Sequence, residues 1–145
     1  MAARTGSATW TGDLRDGSGR LTVGPRRWEA GYSFRSRFTD DAENSTNPEE
    51  LLAAAHAGCF SMSLTHVLTQ AGTVPRGVAT TARVRLRPVD GVPTIDLVDL
   101  DTTVDVDGVD AAALQKHAEA AETGCAISRA LTGVAEIRVT ARLRT

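Results

Sequence analysis

Hydrophobic and polar positions follow different periods in successive parts of the chain. Residues 7–38 alternate loosely, residues 46–71 are apolar on most sides, and residues 78–106 alternate again before a helical pattern over 110–131 and a last alternating stretch over 134–143. A period of two predicts strands, and apolar residues three or four positions apart predict helices. Because the hairpins are segregated from the helices, this order indicates an α+β domain with mostly antiparallel sheet.

The amino-terminal part predicts three strands. Strands near 7–13 and 19–23 would be joined by a hairpin around Asp16 and Gly17, and Pro25, Arg26 and Arg27 end that pattern. A third extended piece, Trp28–Phe38, would place Arg35 and Arg37 on one face. The polar residues 39–45 then form a loop that leads to the long helix.

The stretch 46–71 predicts one long helix with a cysteine in its middle. Thr46 or Asn47 can cap it, Pro48 suits the first helical position, and the glutamates at 49 and 50 suit the first turn. Gly72 supplies the stop. Since this helix is apolar nearly all round, we expect other elements or a partner helix to cover it. Polar or small residues make it too interrupted for a membrane span, namely His56, Gly58, His66 and Gln70.

The carboxyl-terminal half predicts strands and short helices. The strands are Val78–Arg87 and Pro93–Val106, joined by a turn at Asp90–Gly91, and a shift of the apolar phase at Leu97–Val98 suggests a bulge. The arginines of the first strand are expected to lie on a solvated face. Asp110 caps a helix that reaches about Glu122, a short helical turn follows over 125–131, and Val134–Leu143 is the last strand.

Composition narrows the possible functions. The 145 residues suit a single domain over 1–145, and the net charge of −2 argues against nucleic-acid and anionic-membrane partners. No apolar run at the amino terminus resembles a signal peptide, so we expect a cytoplasmic protein. In that reducing compartment the two cysteines are either inert or chemically active.

The two cysteines differ in their surroundings. Cys59 lies among apolar residues in the middle of the long helix, where a cysteine often serves as a small hydrophobic residue. Cys125 follows Gly124 at the start of a short helix, where free N–H groups and the helix dipole are expected to stabilise a thiolate.

The stretch around Cys59 resembles the central signature of the OsmC/Ohr family, the osmotically inducible and organic hydroperoxide resistance proteins. It reads Asn-Pro-Glu-Glu-Leu-Leu-Ala-Ala-Ala-His-Ala-Gly-Cys-Phe-Ser-Met over 47–62 and is closer to the OsmC branch. Similarity extends to Ala8–Asp13, to Ser36–Phe38 and to Gly124–Ser128, so it covers nearly the whole chain.

This resemblance implies a thiol peroxidase for organic hydroperoxides that serves in oxidative and osmotic stress defence without a cofactor. Cys59 would attack the peroxide, Cys125 would form a disulfide with it, and Arg37 and Glu49 would activate Cys59 and orient the peroxide. A dihydrolipoamide-like dithiol would be the reductant. The implied fold is an intertwined homodimer whose sheets wrap around the central helices. One departure is Ala126, where the family usually has proline.

Physical chemistry gives the implied roles separate reasons. A thiol ionises little at neutral pH and burial raises its pKa, so a nearby guanidinium is a suitable stabiliser of the thiolate. A carboxylate such as Glu49 can hold an arginine by bidentate hydrogen bonding. Glu49 and Cys59 lie about 15 Å apart along one helix, so Arg37 must bridge a gap or act across subunits. Arg35 is the rival of Arg37, and Glu50 is expected to be a helix-start charge.

Other readings of these residues remain open. His56 lies one turn before Cys59, which permits a Cys-His dyad, although a packed histidine is the preferred interpretation. A zinc site would need ligands such as His56, Cys59, His66 and Cys125, which lack the usual paired spacing. Rival functions are a non-catalytic module that binds a lipid-like ligand and a structural dimer switched by its disulfide.

Overall fold

The amino-terminal residues form a three-stranded antiparallel sheet in the order β1-β2-β3, with β1 Gly6–Thr11, β2 Ser18–Val23 and β3 Trp28–Tyr32. The hairpin between β1 and β2 is confirmed. Its turn is closed by Asp13, whose carboxylate accepts hydrogen bonds from the N–H groups of Arg15 and Asp16. Gly17 has to be glycine, because a Cβ there would lie 2.2 Å from the carbonyl oxygen of Asp13.

The computed structural model describes residues 3–25, 28–39 and 45–145. The predicted break at Arg26 and Arg27 and most of the predicted loop, residues 40–44, lie outside them. The chain divides into two compact units, residues 1–51 and residues 52–145.

The prediction that the third extended piece reaches Phe38 is wrong. The strand ends at Tyr32, and Arg35–Arg37 form a 3-10 helix. The reason is local: the N–H of Ser33 donates to Ser36 Oγ and the N–H of Ser36 donates to Ser33 Oγ, both at 3.0 Å. These reciprocal bonds close a turn, so Arg35 and Arg37 do not share a strand face.

The long helix α1 spans Pro48–Gln70. Asn47 caps it, since its Oδ1 accepts the N–H of Glu50 at 2.8 Å. The helix ends before Gly72, which has a φ of +87°, and the N–H of Thr73 returns to the carbonyl of Leu68 at 3.0 Å. The predicted start and stop are therefore confirmed.

Only one row of α1 is fully buried. Four side chains spaced four residues apart are 0% exposed: His56, Phe60, Leu64 and Leu68. A second row with the same spacing is exposed, and it consists of Ala54, Gly58, Met62, His66 and Gln70. By length and mean hydropathy (1.4 over its most apolar 18 residues) α1 would also suit a membrane span. The core helix of a soluble protein meets the same two criteria, so they do not by themselves indicate a membrane protein.

Helix α1 packs on a second three-stranded sheet in the order β4-β5-β6, with β4 Gly77–Val89, β5 Val92–Asp105 and β6 Glu136–Leu143. β4 and β5 are antiparallel, and β5 and β6 are parallel. The connection from β5 to β6 runs through α2 Ala111–Gly124, capped by Asp110, and α3 Ala126–Ala130. The predicted helices and strands are confirmed, and this crossover delivers Cys125 to the core.

The bulge in β5 lies one position before the predicted one. Arg85 pairs with Leu97 and the next residue of β4 pairs with Ile95, so Asp96 is the extra residue. Its carboxylate is 6% exposed and binds Arg85, with an Nε to Oδ1 distance of 2.8 Å, and also Arg87. The guanidinium groups remain half-exposed, as the solvated-face interpretation predicts.

Candidate active site

Cys125 occupies the junction between α2 and α3. It is the residue before the first turn of α3, has an extended backbone (φ −70°, ψ 124°), and its N–H donates to the carbonyl of Glu122 at 3.1 Å. Its side chain is 1% exposed. A hydrogen bond connects α1 to α2, since the hydroxyl of Ser63 on α1 donates to the carbonyl of Ala121 on α2 at 2.7 Å. The thiol of Cys125 is thus fixed against α1.

Cys59 lies on α1 within hydrogen-bonding reach of Cys125. Both thiols are free and Cys59 is half-buried. Burial opposes ionisation of Cys59, but the backbone N–H of Ile127, the thiol of Cys125 and the backbone N–H of Ala126 stabilise the anion. The net effect lowers the pKa of Cys59. Cys59 is therefore the thiol prepared to act as a nucleophile.

The N–H groups at the start of α3 favour a thiolate at Cys125, as expected, but burial outweighs them and the net effect raises the pKa of this thiol. Burial raises the pKa of Cys125, and hydrogen bonding to Cys59 adds to the rise, although backbone N–H groups of α3 act in the opposite direction. The N–H groups at the start of α3 stabilise the thiolate of Cys59 with a larger net effect than that of Cys125, because Cys59 is the more exposed thiol and loses less hydration. The pKa values of the two thiols are thus shifted in opposite directions.

Arg37 and Glu49 form an ion pair within the unit of residues 1–51. The Nε of Arg37 lies 3.2 Å from each carboxylate oxygen of Glu49, and Nη2 also binds Oε1. Their side chains are 29% and 10% exposed. Hydrogen bonding to Glu49 raises the pKa of Arg37, despite partial burial. A guanidinium held in this way keeps its charge and has donors left for a ligand.

A pocket of about 280 Å³ adjoins Arg37. Its lining is mostly aromatic and apolar and also includes one guanidinium: Trp10, Leu14, Tyr32, Ser33, Phe34, Arg37 and Pro48. Trp10 and Tyr32 pack with ring centroids 5.4 Å apart. An apolar cavity with one guanidinium suits a ligand that has an alkyl or aryl body and a polar end.

The sequence prediction brought together four site residues, and the structure joins them as two pairs. Cys59 contacts Cys125 in the second unit, and Arg37 contacts Glu49 in the first. Glu50 is a helix-start charge as expected, since the hydroxyl of Thr46 donates to its Oε2 at 2.8 Å.

His56 is a packed histidine, in agreement with the preferred interpretation. Its Nε2 lies 2.7 Å from the hydroxyl of Ser128, a residue that the sequence analysis did not single out. Burial lowers the pKa of His56. No signal in the sequence connects these two residues, because they meet only after α3 has packed on α1. Among the residues that the structure describes, no group of three or more His, Cys, Asp and Glu is arranged to hold a metal ion.

Comparison with known proteins agrees with this architecture. Peroxiredoxin OsmC of Escherichia coli (strain K12) is 39% identical over 134 residues, which cover 88% of this chain and 89% of that protein. The organic hydroperoxide resistance protein OhrB of Bacillus subtilis has a similar structure, with a TM-score of 0.71, 25% identity, and coverage of 97% of this chain and 98% of that one.

An organic hydroperoxide resistance protein from Elizabethkingia anophelis, crystallised with thiocyanate, shares the fold with a TM-score of 0.72 at 24% identity, over 99% of this chain and 98% of that one. The family model described as OsmC-like protein matches residues 39–140, which include both cysteines and the Arg37 partner Glu49. The resemblance noted in the sequence is thereby confirmed, and the chain belongs to the OsmC-like protein family.

Proposed function

We propose that this protein is a cytoplasmic thiol peroxidase that reduces organic hydroperoxides to alcohols through a disulfide between Cys59 and Cys125. Its family and its relatives named peroxiredoxin and organic hydroperoxide resistance protein support a peroxidase role in stress defence. The observation that carries the specific reaction is the contact between two free thiols of opposite character, one with a lowered pKa and one with a raised pKa.

The first step oxidises Cys59. Its thiolate attacks the terminal, hydrogen-bearing oxygen of ROOH, the O–O bond breaks, and the departing RO⁻ takes a proton to leave as ROH. Cys59 becomes a sulfenic acid. The backbone N–H groups of Ile127 and Ala126 favour the thiolate that starts this step. Cys125 is kept as a thiol and does not compete for the peroxide.

The second step forms the disulfide. The sulfur of Cys125 attacks the sulfur of Cys59, the S–O bond breaks, and the hydroxide leaves as water after it receives the proton of Cys125. A dithiol of the dihydrolipoamide type then reduces the disulfide by thiol exchange, which returns both thiols.

Arg37 and Glu49 are proposed to bind and polarise the peroxide. The guanidinium stays charged and can donate hydrogen bonds to the peroxide oxygens, and Glu49 fixes its orientation. The apolar pocket beside Arg37 supports a preference for alkyl or aryl hydroperoxides over hydrogen peroxide, because hydrogen peroxide has no group to fill it.

We also propose that two copies form a homodimer. The exposed row of α1 contains small and apolar residues, among them Gly58 and Met62, and Met62 is 70% exposed. A large apolar side chain such as Met62, exposed beside a glycine in this row, favours a second copy as the partner of the helix. Mixing Arg37→Ala chains with Cys59→Ser chains tests whether subunits share these residues, since restored activity in the mixed dimer requires sharing.

The test of the main proposal is steady-state consumption of cumene hydroperoxide and hydrogen peroxide with excess dihydrolipoamide, using the wild type, Cys59→Ser and Cys125→Ser. We expect turnover that prefers the organic peroxide and is abolished in Cys59→Ser. In Cys125→Ser one equivalent of peroxide should still be consumed quickly. A wild type that consumes no peroxide and retains both free thiols would refute the peroxidase and favour the binding module.

A further inference from the structure

Two side-chain hydrogen bonds connect α1 to the segment of chain that carries Cys125. His56 Nε2 lies 2.7 Å from the hydroxyl oxygen of Ser128 on α3. The hydroxyl of Ser63 donates to the carbonyl of Ala121 on α2, also at 2.7 Å. Both bonds lie within the second unit, and along the chain one precedes Cys125 and the other follows it.

These two bonds set a register in which the cysteines lie opposite each other. Cys59 comes three residues after His56 and four residues before Ser63. Cys125 comes three residues before the partner of His56 and four residues after the partner of Ser63. The two segments therefore run in opposite directions, and the same register pairs Cys59 with Cys125. At about 100° per residue, His56, Cys59 and Ser63 lie within about 60° of one another around α1.

The packing of the neighbouring residues agrees with this register. Cys59 packs against the buried cluster to which Cys125 belongs. A Cβ added to Gly124 would lie 3.7 Å from Ser63 Oγ, so the residue before Cys125 also lies against α1. A disulfide usually needs Cα atoms no more than about 7 Å apart. Cysteines from separate elements meet this requirement only while the two segments stay in register.

Helix α3 depends on its bond to His56. It has five residues, far fewer than an isolated helix needs for stability. Ser128 is the buried one among these five described residues, and Ile127 is half-buried, so α3 contributes little apolar surface to the core. His56 Nδ1 has no hydrogen-bond partner among the described residues, which leaves the bond to Ser128 to compensate for the burial of the ring. Separating the pair would leave two buried polar groups without partners.

The bond from Ser63 holds the end of α2. Ala121 is among the last four residues of that helix, whose carbonyl groups have no N–H partner within the helix. The hydroxyl of Ser63 supplies a partner and ties α2 to α1 one turn before Cys125. Cys125 is thus held from both sides, by one bond before it and one bond after it.

We propose that His56 and Ser63 are positioning residues that hold Cys125 in register with Cys59 and thereby raise the effective concentration of the two thiols. The inference rests on the proposed peroxidase, whose second step joins these two sulfurs. Both residues act through the segment that carries Cys125 and not on a sulfur. Because that segment is already held in the reduced protein, formation of the disulfide removes less conformational entropy.

The effective concentration is measured by equilibrating the full-length protein with reduced and oxidised glutathione. In this exchange the S–S bond of oxidised glutathione breaks and the bond between Cys59 and Cys125 forms. The protons of the two protein thiols go to the two glutathione thiols that are released. The equilibrium constant has the unit of a concentration, and its measurement does not require a peroxide.

We expect His56→Leu and Ser63→Ala each to lower the effective concentration about three- to tenfold, as the loss of one hydrogen bond predicts. A tenfold loss corresponds to a reduction potential about 30 mV less negative. His56→Gln should restore the wild-type value, because its amide can bond to Ser128 from nearly the position of Nε2. Ser61→Ala is the matched control, since its hydroxyl bonds to Thr80 of β4 and not to α2 or α3.

A merely structural role of these residues would give a different result. A substitution that weakens the reduced and oxidised folds equally lowers the melting temperature and leaves the glutathione equilibrium unchanged. Wild-type values in both His56→Leu and Ser63→Ala would overturn the proposal, and so would a His56→Gln value no higher than that of His56→Leu. Should His56→Leu fold poorly, the value for Ser63→Ala decides.

The peroxidase is tested separately from this register. Wild-type protein that forms the disulfide with glutathione but consumes no organic hydroperoxide would refute the peroxidase. The equilibrium constants of the variants would still decide whether His56 and Ser63 hold the two cysteines together.

Discussion

Replacing Ala126 by proline removes one N–H group from the site and leaves the rest in place. Ala126 is the first residue of α3, and its N–H favours the ionised form of Cys59. Proline lacks this donor, and its fixed φ suits the first position of a helix. Cys125, the residue before it, already has the extended backbone that a residue preceding proline prefers (φ −70°, ψ 124°). We therefore expect Ala126→Pro to fold normally.

The size of the effect follows from the contacts of Cys59. A hydrogen bond to a charged group contributes about 1.5–3 kcal/mol, and about 1.4 kcal/mol corresponds to one pKa unit. Because Cys59 is half-buried and keeps the N–H of Ile127 as a donor, the lower end of this range applies. The pKa of Cys59 should rise by about one unit. At pH 7 the variant would contain less Cys59 thiolate, but each thiolate would be more nucleophilic. We therefore expect the reaction with peroxide to be about threefold slower.

The assay measures thiolate absorbance near 240 nm as a function of pH and compares Ala126→Pro with the unchanged residue. Both proteins also carry Cys125→Ser, which leaves Cys59 as the single cysteine. Ala126→Gln is the control, because it keeps the N–H at an exposed helical position. An unchanged or lower pKa in Ala126→Pro, with a normal melting temperature, would show that the N–H groups of α3 do not stabilise this thiolate.

Three further predictions concern the packing around the site. Phe60→Ala removes a fully buried side chain of α1 and should lower the free energy of unfolding in urea by about 3–5 kcal/mol. Asp96→Asn should lower the melting temperature more than Asp99→Asn, because Asp96 binds two arginines at the bulge and Asp99 is more exposed; equal shifts would contradict this. Burial lowers the pKa of His56, so as the pH falls this histidine is protonated in the unfolded chain before it is protonated in the folded protein. The contribution of neutral His56 to the free energy of unfolding should therefore be fully present above about pH 6.5 and be lost as the pH decreases. Urea titrations at pH 7.5 and 5 should show a smaller difference in His56→Gln.

The sequence predicts elements well where a single face is buried. The alternation of β4 fixes its two faces, and the cap at Asn47 with the stop at Gly72 fixes both ends of α1, because these signals act within a few residues. The 3-10 turn at Arg35–Arg37 was missed because the serine hydroxyls at 33 and 36 override a loose alternation.

The chemistry of the site depends on contacts that sequence patterns do not encode. The donors to Cys59 are backbone N–H groups, which every residue except proline possesses, so residue types give no sign of them. Ser128 meets His56 only through the packing of α3 on α1. The difference in pKa between the two thiols depends on how deeply each is buried, which tertiary structure sets and residue types do not reveal.

The spacing of the exposed row on α1 constrains how two such helices can meet. Every member lies four residues after the one before, from Ala54 to Gln70, so the row advances about 40° around the axis at each step and slants across the helix. Ridges of this kind from two helices interlock at a crossing angle of about −50°. A second copy seated on this row would therefore cross α1 steeply near Gly58 and Met62, where the absent side chain of the glycine allows the two backbones their closest approach.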